Sequence, residues 1–439
     1  MTIPNIKGNL PLELYYFATN PIHFLDRQFE KNGEQFKATI LNKTIICTRN
    51  PTWLEHIFVK NQKNYTKDFT MRQLEFILGK GLLTNTGEAW LKQRRLIQTA
   101  FYKGRLDSLA TIMEEVIEAY IDKMNNIPSG SLFFIDEEML DMTASVMLAT
   151  IFGEKMNTEW KGVQEKMADI QAYIVKRIQF PFYIPLAYMN GDHQKAQKKK
   201  NSIDISIYKT IEKRKNHPID HFNLVSMLVN ARDAETGKRM PDQQLRDELV
   251  TFYFAGHETT AFALSWTFYE LMQHPEVVKK IKKEVTGVMV NGRIGSDGIK
   301  KLPYTTAVIH ESLRLHPPAY IISRECMEND VIENVKIKKG DTIIVSLINM
   351  HKHPELWENP LDFNPERFMS EDENLHKNLH PFGAGPRICI GKHFAMMEII
   401  LAVAKIVPAL DFILAPNQKI EAEALITLKP KNGIMVIKK

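Results

Sequence analysis

Ten residues constrain this chain more than any other stretch: Phe382-Gly383-Ala384-Gly385-Pro386-Arg387-Ile388-Cys389-Ile390-Gly391. Two glycines precede a cysteine and permit backbone conformations and close approaches closed to other residues. Apolar spacing predicts a helix directly afterwards, over Gly391–Val407. Free N–H groups and the positive dipole end of that helix favour a thiolate, and Arg387 adds positive charge nearby. Such a thiolate either attacks an electrophile or binds a soft metal. A buried cysteine in a glycine-containing turn is the ordinary alternative, and for a lone cysteine it would prevail. Here five fixed positions, F-x-x-G-x-R-x-C-x-G, coincide.

The remaining composition is that of an ordinary globular protein. The chain has 439 residues with 57 Lys+Arg against 52 Asp+Glu, a net charge of +5. That balance excludes disordered, collagenous and coiled-coil chains and gives no general reason to expect nucleic acid as partner. The length exceeds the roughly 250–300 residues of a simple core, so the chain holds several domains or one domain enlarged by something inside it. No linker rich in Gly, Ser or Pro divides it. The other cysteines, Cys47 and Cys326, make an odd and sparse set without disulfide or zinc spacing. Met1–Arg27 has no signal-like apolar segment, and Ile399–Ala415 is interrupted by Lys405, Pro408 and Asp411. The expectation is a soluble, unexported, cytoplasmic protein.

Residues 36–49 alternate around Asn42-Lys43 and predict a hairpin. Helical periodicity dominates from about 86 to 285, with helices over Leu106–Met124, Asp136–Phe152 and Pro241–Gln273. Lys198-Lys199-Lys200 predicts a solvated helix end or loop. Residues 331–347 predict two strands turning at Gly340-Asp341, and Ala424–Lys439 a hairpin turning near Lys431-Asn432-Gly433. Residues 354–386 are irregular. The fold class is mainly α with small β-sheets.

The cysteine segment resembles the haem-binding loop of the cytochrome P-450 family, the haem-thiolate monooxygenases. Four further marks follow the family's order, so the resemblance runs from about Gly87 to Gly433. Glu311-Ser312-Leu313-Arg314 is an E-x-x-R whose charges share a helix face. Alone it is an everyday surface pair. The resemblance implies a buried structural triad of Glu311, Arg314 and Arg367, the last within Phe363–Phe368. Ala255-Gly256-His257-Glu258-Thr259-Thr260 sets a glycine beside a threonine in mid-helix. The Thr259 hydroxyl can bond the Ala255 carbonyl and so open the helix. The resemblance implies that Thr259 hydrogen-bonds dioxygen and that Glu258 belongs to the proton route; His257 receives no role. Trp90 and Arg94 lie one helical turn apart and both reach a haem propionate in the family, as do Arg324 and Arg387. Phe382, Gly391, Ala255 and Gly256 correspond to residues that contact the cofactor.

The resemblance further implies the cytochrome P-450 fold, residues 1–439 as a single haem domain, and haem b (iron protoporphyrin IX) held by the Cys389 thiolate. The expected activity is O2-dependent hydroxylation or oxidative dealkylation of a small, at least partly hydrophobic substrate. No flavin, nicotinamide or iron–sulfur segment is present in this sequence. Electrons are therefore expected from a ferredoxin or flavodoxin and its NAD(P)H-dependent reductase, docked by a basic face of Lys92, Arg94, Arg95 and Lys392. By position, the pocket comprises Phe69, Met71, Phe76 and Leu83, then Phe254, Ala319, Tyr320 and Ile321, and finally Leu425 and Ile426. The Leu428-Lys429-Pro430 ending is similar to fatty-acid-hydroxylating branches of the family, an analogy that fixes no substrate. A bacterial type without membrane anchor is expected. Peroxide-using or O2-independent enzymes, and a non-catalytic haem-thiolate sensor or carrier, are the alternatives. The intact Glu258-Thr259 pair weighs against them.

Overall fold

The structure is a computed structural model. It describes residues 3–40, 43–101, 104, 107–216, 223–232, 237–370 and 373–439. Helices form its body, as the periodicity predicts. The longest, Asp242–Gln273, begins after Pro241 and is buried on nearly every side from Leu245 to Phe254 and again from Thr260 to Leu271. Burial on nearly every side places a helix in the core, and this central helix packs against Ile135–Met147, Pro303–Leu315 and Lys392–Ala409. Local start signals fix several helices. Asn157 accepts from the Trp160 N–H at 3.0 Å and opens Thr158–Gln179. Proline occupies the first turn of both Pro275–Thr286 and Pro303–Leu315.

The largest sheet has five strands in the order Gln35–Ile40, Lys43–Thr48, Thr342–Ser346, Ile321–Cys326, Tyr65–Thr66. The predicted hairpin of 36–49 is its first pair, with Phe36 opposite Cys47. Asn42 of its turn lies outside the described residues. The second and third strands run parallel, with Cys47 beside Ile344. This sheet carries Arg324 on its fourth strand, paired with Ile343.

Several expectations need correction. Residues 331–347 do not form one hairpin. Asp330–Ile332 turns back onto Val335–Ile337 through Glu333 and Asn334, both at positive φ, while Thr342–Ser346 joins the large sheet. The C-terminal turn at Asn432-Gly433 exists, with φ of 62° and 75°, but its flanking strands serve different sheets. Leu428–Lys431 pairs with Glu421–Ala424, and Met435–Lys438 pairs with Leu132–Phe134 and Phe412–Leu414. The helix predicted from Leu106 is described from Leu109 to Asn125; Leu106 is outside the described residues. Lys198–Lys200 sits within the helix Asp192–Asn216 rather than at its end, with Lys199 paired to Asp169 and Lys200 to Asp204.

Cys47 and Cys326 are buried, and burial pushes the Cys47 thiol up to about 12. Glu398, on the helix Lys392–Ala409, is fully buried with neither carboxyl oxygen hydrogen-bonded among the described residues. Burial holds its pKa well above the ordinary carboxylate range. An acid whose folded pKa is raised stabilises the fold below its unfolded pKa, about 4.3, and loses that contribution as pH rises toward the folded value. Glu398→Gln should therefore resist denaturant better than the parent at pH 7, with the advantage shrinking toward pH 4. Urea midpoints across that range give the check, and a constant difference would contradict the buried carboxyl.

Candidate active site

The cysteine segment adopts the backbone its glycines permit. Gly383 and Gly385 have φ of 75° and 68°. A Cβ on Gly385 would lie 1.8 Å from the Phe58 carbonyl oxygen, so glycine is required there by both conformation and contact. The Cys389 N–H donates to the Phe382 carbonyl at 3.0 Å, and the helix begins three residues later at Lys392. The Cys389 side chain is exposed by surface area, yet protein surrounds it closely enough that burial raises its pKa above the usual thiol range. The two observations agree if the sulfur opens onto interior space. The sequence reading expected a favoured thiolate. Without a metal, burial outweighs the Gly391 N–H, Arg94 and Lys392, which pull the pKa down in the expected direction. A bound metal cation would offset that burial and hold the sulfur as thiolate.

Around the sulfur stands a cluster of cations. Arg387 stacks on the Trp90 ring at 4.0 Å and donates to the Asn85 carbonyl at 3.0 Å. Arg324 lies over Phe58 at 4.5 Å and is 9% exposed. Burial lowers Arg324 and Arg387 both to about 10, joined by repulsion from Arg387 on Arg324 and from Arg94 on Arg387. Arg94 is lowered by burial, with Cys389 opposing. The Cys389 sulfur is thus near enough to Arg94 to favour its charge.

Sequence reasoning missed a fourth member, Lys67. It is also 9% exposed, and its pKa falls well below the ordinary value through burial and then repulsion by Arg324 and Arg387. No spacing marks it. It merely precedes Asp68, which caps Phe69–Leu78 by accepting from the Met71 N–H at 3.2 Å. Among the described residues, none of these four cations makes an ion pair, and Asp68 is the carboxylate that offsets Lys67 and Arg324. Uncompensated cations at this depth are costly unless an anion completes them. Their chemistry fits a group bearing two carboxylates beside a thiolate-bound metal, as a haem does.

Across the core, burial of the central helix breaks at one place. Ala255 is exposed and Gly256, Glu258 and Thr259 are half-buried, although buried residues flank them on both sides. Thr259 Oγ1 donates to the Ala255 carbonyl at 2.7 Å, the bond expected from the sequence. A Cβ on Gly256 would meet Met147 Cε at 2.4 Å, so this glycine serves close packing against Ile135–Met147. Glu258 Oε2 accepts from Gln171 Nε2 at 3.0 Å and from Thr427 Oγ1 at 3.2 Å. Neither partner was foreseen, although Thr427 adjoins Leu425 and Ile426. His257 is structural: its ring stacks on Tyr253 at 4.8 Å, with Nδ1 2.7 Å from the Tyr253 carbonyl.

Glu311 and Arg314 are fully buried and joined by two bonds of 2.8 Å. Arg367 Nε reaches Glu311 at 3.1 Å. Arg314 also donates to the carbonyls of His351, Pro360 and Asp362, which pins the irregular stretch before the cysteine. Of the proposed pocket residues, Met71, Phe76, Leu83, Phe254 and Ile426 share the main apolar cluster. Phe69, Ala319 and Leu425 are half-buried outside it. Tyr320 and Ile321 belong with Ile348 and Leu428 to a smaller one, and the Tyr320 hydroxyl donates to the Leu425 carbonyl at 3.2 Å. Tyr320 thus braces the turn between Glu421–Ala424 and Leu428–Lys431.

Comparison with known proteins accords with this geometry. The crystal structure of the cytochrome P450DA heme domain superposes with a TM-score of 0.90, covering 100% of this chain and 98% of that one at 22% identity. The putative cytochrome P450 132 of Mycobacterium tuberculosis is 29% identical over 94% of this chain and 91% of its own. The cytokinin hydroxylase of Arabidopsis thaliana is 29% identical over 90% and 78%. The Cytochrome P450 family profile matches residues 5–437, nearly the full length over which the cysteine loop, the cations and the central helix converge, and the chain accordingly belongs to the cytochrome P450 family of haem-thiolate monooxygenases.

Proposed function

We propose that this protein hydroxylates, or dealkylates by hydroxylation, a small and partly hydrophobic organic substrate, as one haem domain spanning residues 1–439. The observation that carries this reading is the Glu258-Thr259 pair at the break in the buried central helix, with Glu258 anchored and Thr259 bonded to Ala255. Cys389 would hold haem b, and Lys67, Trp90, Arg94, Arg324 and Arg387 would receive its propionates by charge-assisted bonds. Bound there, the haem supplies oxidising chemistry, with thiolate donation favouring O–O cleavage.

The chain's own residues do the rest. Thr259 offers a hydroxyl where burial of the helix lapses; its hydrogen goes to the Ala255 carbonyl, which leaves its oxygen to accept from an ordered water. Glu258, the residue before Thr259, can pass protons toward that hydroxyl once Gln171 and Thr427 release it. Met71, Phe76, Leu83 and Ile426 give apolar surface that orients substrate and excludes water. Lys92, Arg94, Arg95 and Lys392, near the cysteine side, suit an acidic ferredoxin or flavodoxin. Among the described residues, no helix is long and apolar enough to cross a membrane.

Thr259→Ala tests the assignment. Electron consumption should continue while product falls about tenfold or more, the difference appearing as hydrogen peroxide. Reductant use measured beside product gives the ratio, and unchanged coupling removes Thr259 from the proton route.

A further inference from the structure

A second cationic site lies away from the cysteine, where three helices meet. Arg177, in the last turn of Thr158–Gln179, lies over the Phe76 ring at 5.9 Å and the Tyr173 ring at 5.4 Å. Its Nη1 donates to the Tyr173 hydroxyl at 3.5 Å, a long contact, and its buried Nε has no acceptor. The Tyr173 hydroxyl is 3.0 Å from Nδ1 of His193, whose ring packs 5.5 Å from Phe76. Among the described residues no carboxylate pairs with Arg177. The adjacent acid, Asp192, is taken by the Tyr183 hydroxyl at 2.6 Å and by Lys195 at 3.5 Å.

A cation in the last turn of a helix normally answers the helix dipole. Lys176, exposed beside it, already does so. Dipole compensation does not require Arg177 to fold inward over Phe76 and bury a donor without a partner. A guanidinium with open donors, a phenol and an imidazole converging beside an apolar wall is the equipment for an anion attached to something greasy.

The direction of that wall matters. Gln171, on the same helix as Arg177, touches Glu258 where burial of the central helix lapses. Six residues separate the two, a rise of about 9 Å. A ligand with its charge at Arg177 would run its chain past Phe76 toward the Glu258-Thr259 end.

We infer that Arg177, with Tyr173 and His193, recognises the carboxylate of an amphipathic organic acid whose apolar tail is the part oxidised. The inference rests on the monooxygenase reading above and adds the substrate's polar end. It applies to free carboxylic acids and predicts discrimination against the corresponding neutral alcohols, which bring no charge to the guanidinium.

The experiment is an optical titration of the full-length haem-loaded protein with dodecanoate and, separately, dodecan-1-ol, following the spin-state shift. Calorimetric titration of the same samples gives an independent binding constant. The acid should bind at least about tenfold more tightly than the alcohol. Arg177→Met should remove that preference while the alcohol constant stays the same, and Arg177→Lys should restore part of it. Equal binding of acid and alcohol, binding of neither, or a loss in Arg177→Met that falls equally on both, overturns the inference. The carbon monoxide spectrum of the same preparation separates the two levels. With a thiolate spectrum, such a result leaves the monooxygenase reading standing; without one, both fall.

Discussion

Glu311→Ala should destabilise the protein by about 3–5 kcal/mol, the cost of stranding a buried charge. Glu311 and Arg314 are both 0% exposed, and Arg367 completes the network on the same carboxylate. Removing the carboxylate leaves two guanidinium groups in the interior with carbonyl acceptors but no counter-charge. The Asn364 N–H, which donates to Glu311 Oε1 at 2.8 Å, loses its acceptor as well. The effect should extend beyond stability. Arg314 binds the carbonyls of His351, Pro360 and Asp362, so its release loosens the segment leading to Phe382 and the cysteine loop. Denaturant unfolding should show the lowered midpoint, accompanied by weaker haem retention. Lys339→Ala, which breaks an exposed pair with Glu328, provides the contrast and should leave the midpoint unchanged. A Glu311→Ala midpoint equally unmoved would deny the network its structural role.

Cys389→Ser should abolish turnover, by on the order of a thousandfold or more, because an alcohol cannot supply the electron donation of a thiolate. The fold itself should survive. The loop is set by Gly383, Gly385 and the Cys389 N–H bond to Phe382, none of which needs sulfur. Cys47→Ser and Cys326→Ser should keep the thiolate signature. Both side chains are buried in apolar clusters of the sheet region. Activity persisting in Cys389→Ser, or vanishing in Cys47→Ser with the fold intact, would assign the metal ligand to the wrong residue.

Helices and the cysteine loop were legible because their signals are local. The period of the central helix, the glycines before Cys389 and the E-x-x-R spacing each occupy a short window. Strand partnership was not legible. Residues 331–347 contain strands, but whether Thr342–Ser346 pairs with its neighbours or with Lys43–Thr48 depends on a chain segment some three hundred residues away. The site divides along the same line. Thr259 bonds a carbonyl on its own helix, within one turn, and could be anticipated. Lys67 acquires meaning only when a strand brings Arg324 and the cysteine loop brings Arg387 beside it. Gln171 and Thr427 meet Glu258 from separate elements.

The central claim is that the Cys389 sulfur binds haem iron. Reduced, haem-loaded protein exposed to carbon monoxide tests it most directly. The account predicts the red-shifted Soret band of a thiolate-ligated haem, absent in Cys389→Ser. A band typical of histidine ligation, or one indifferent to that substitution, would contradict it.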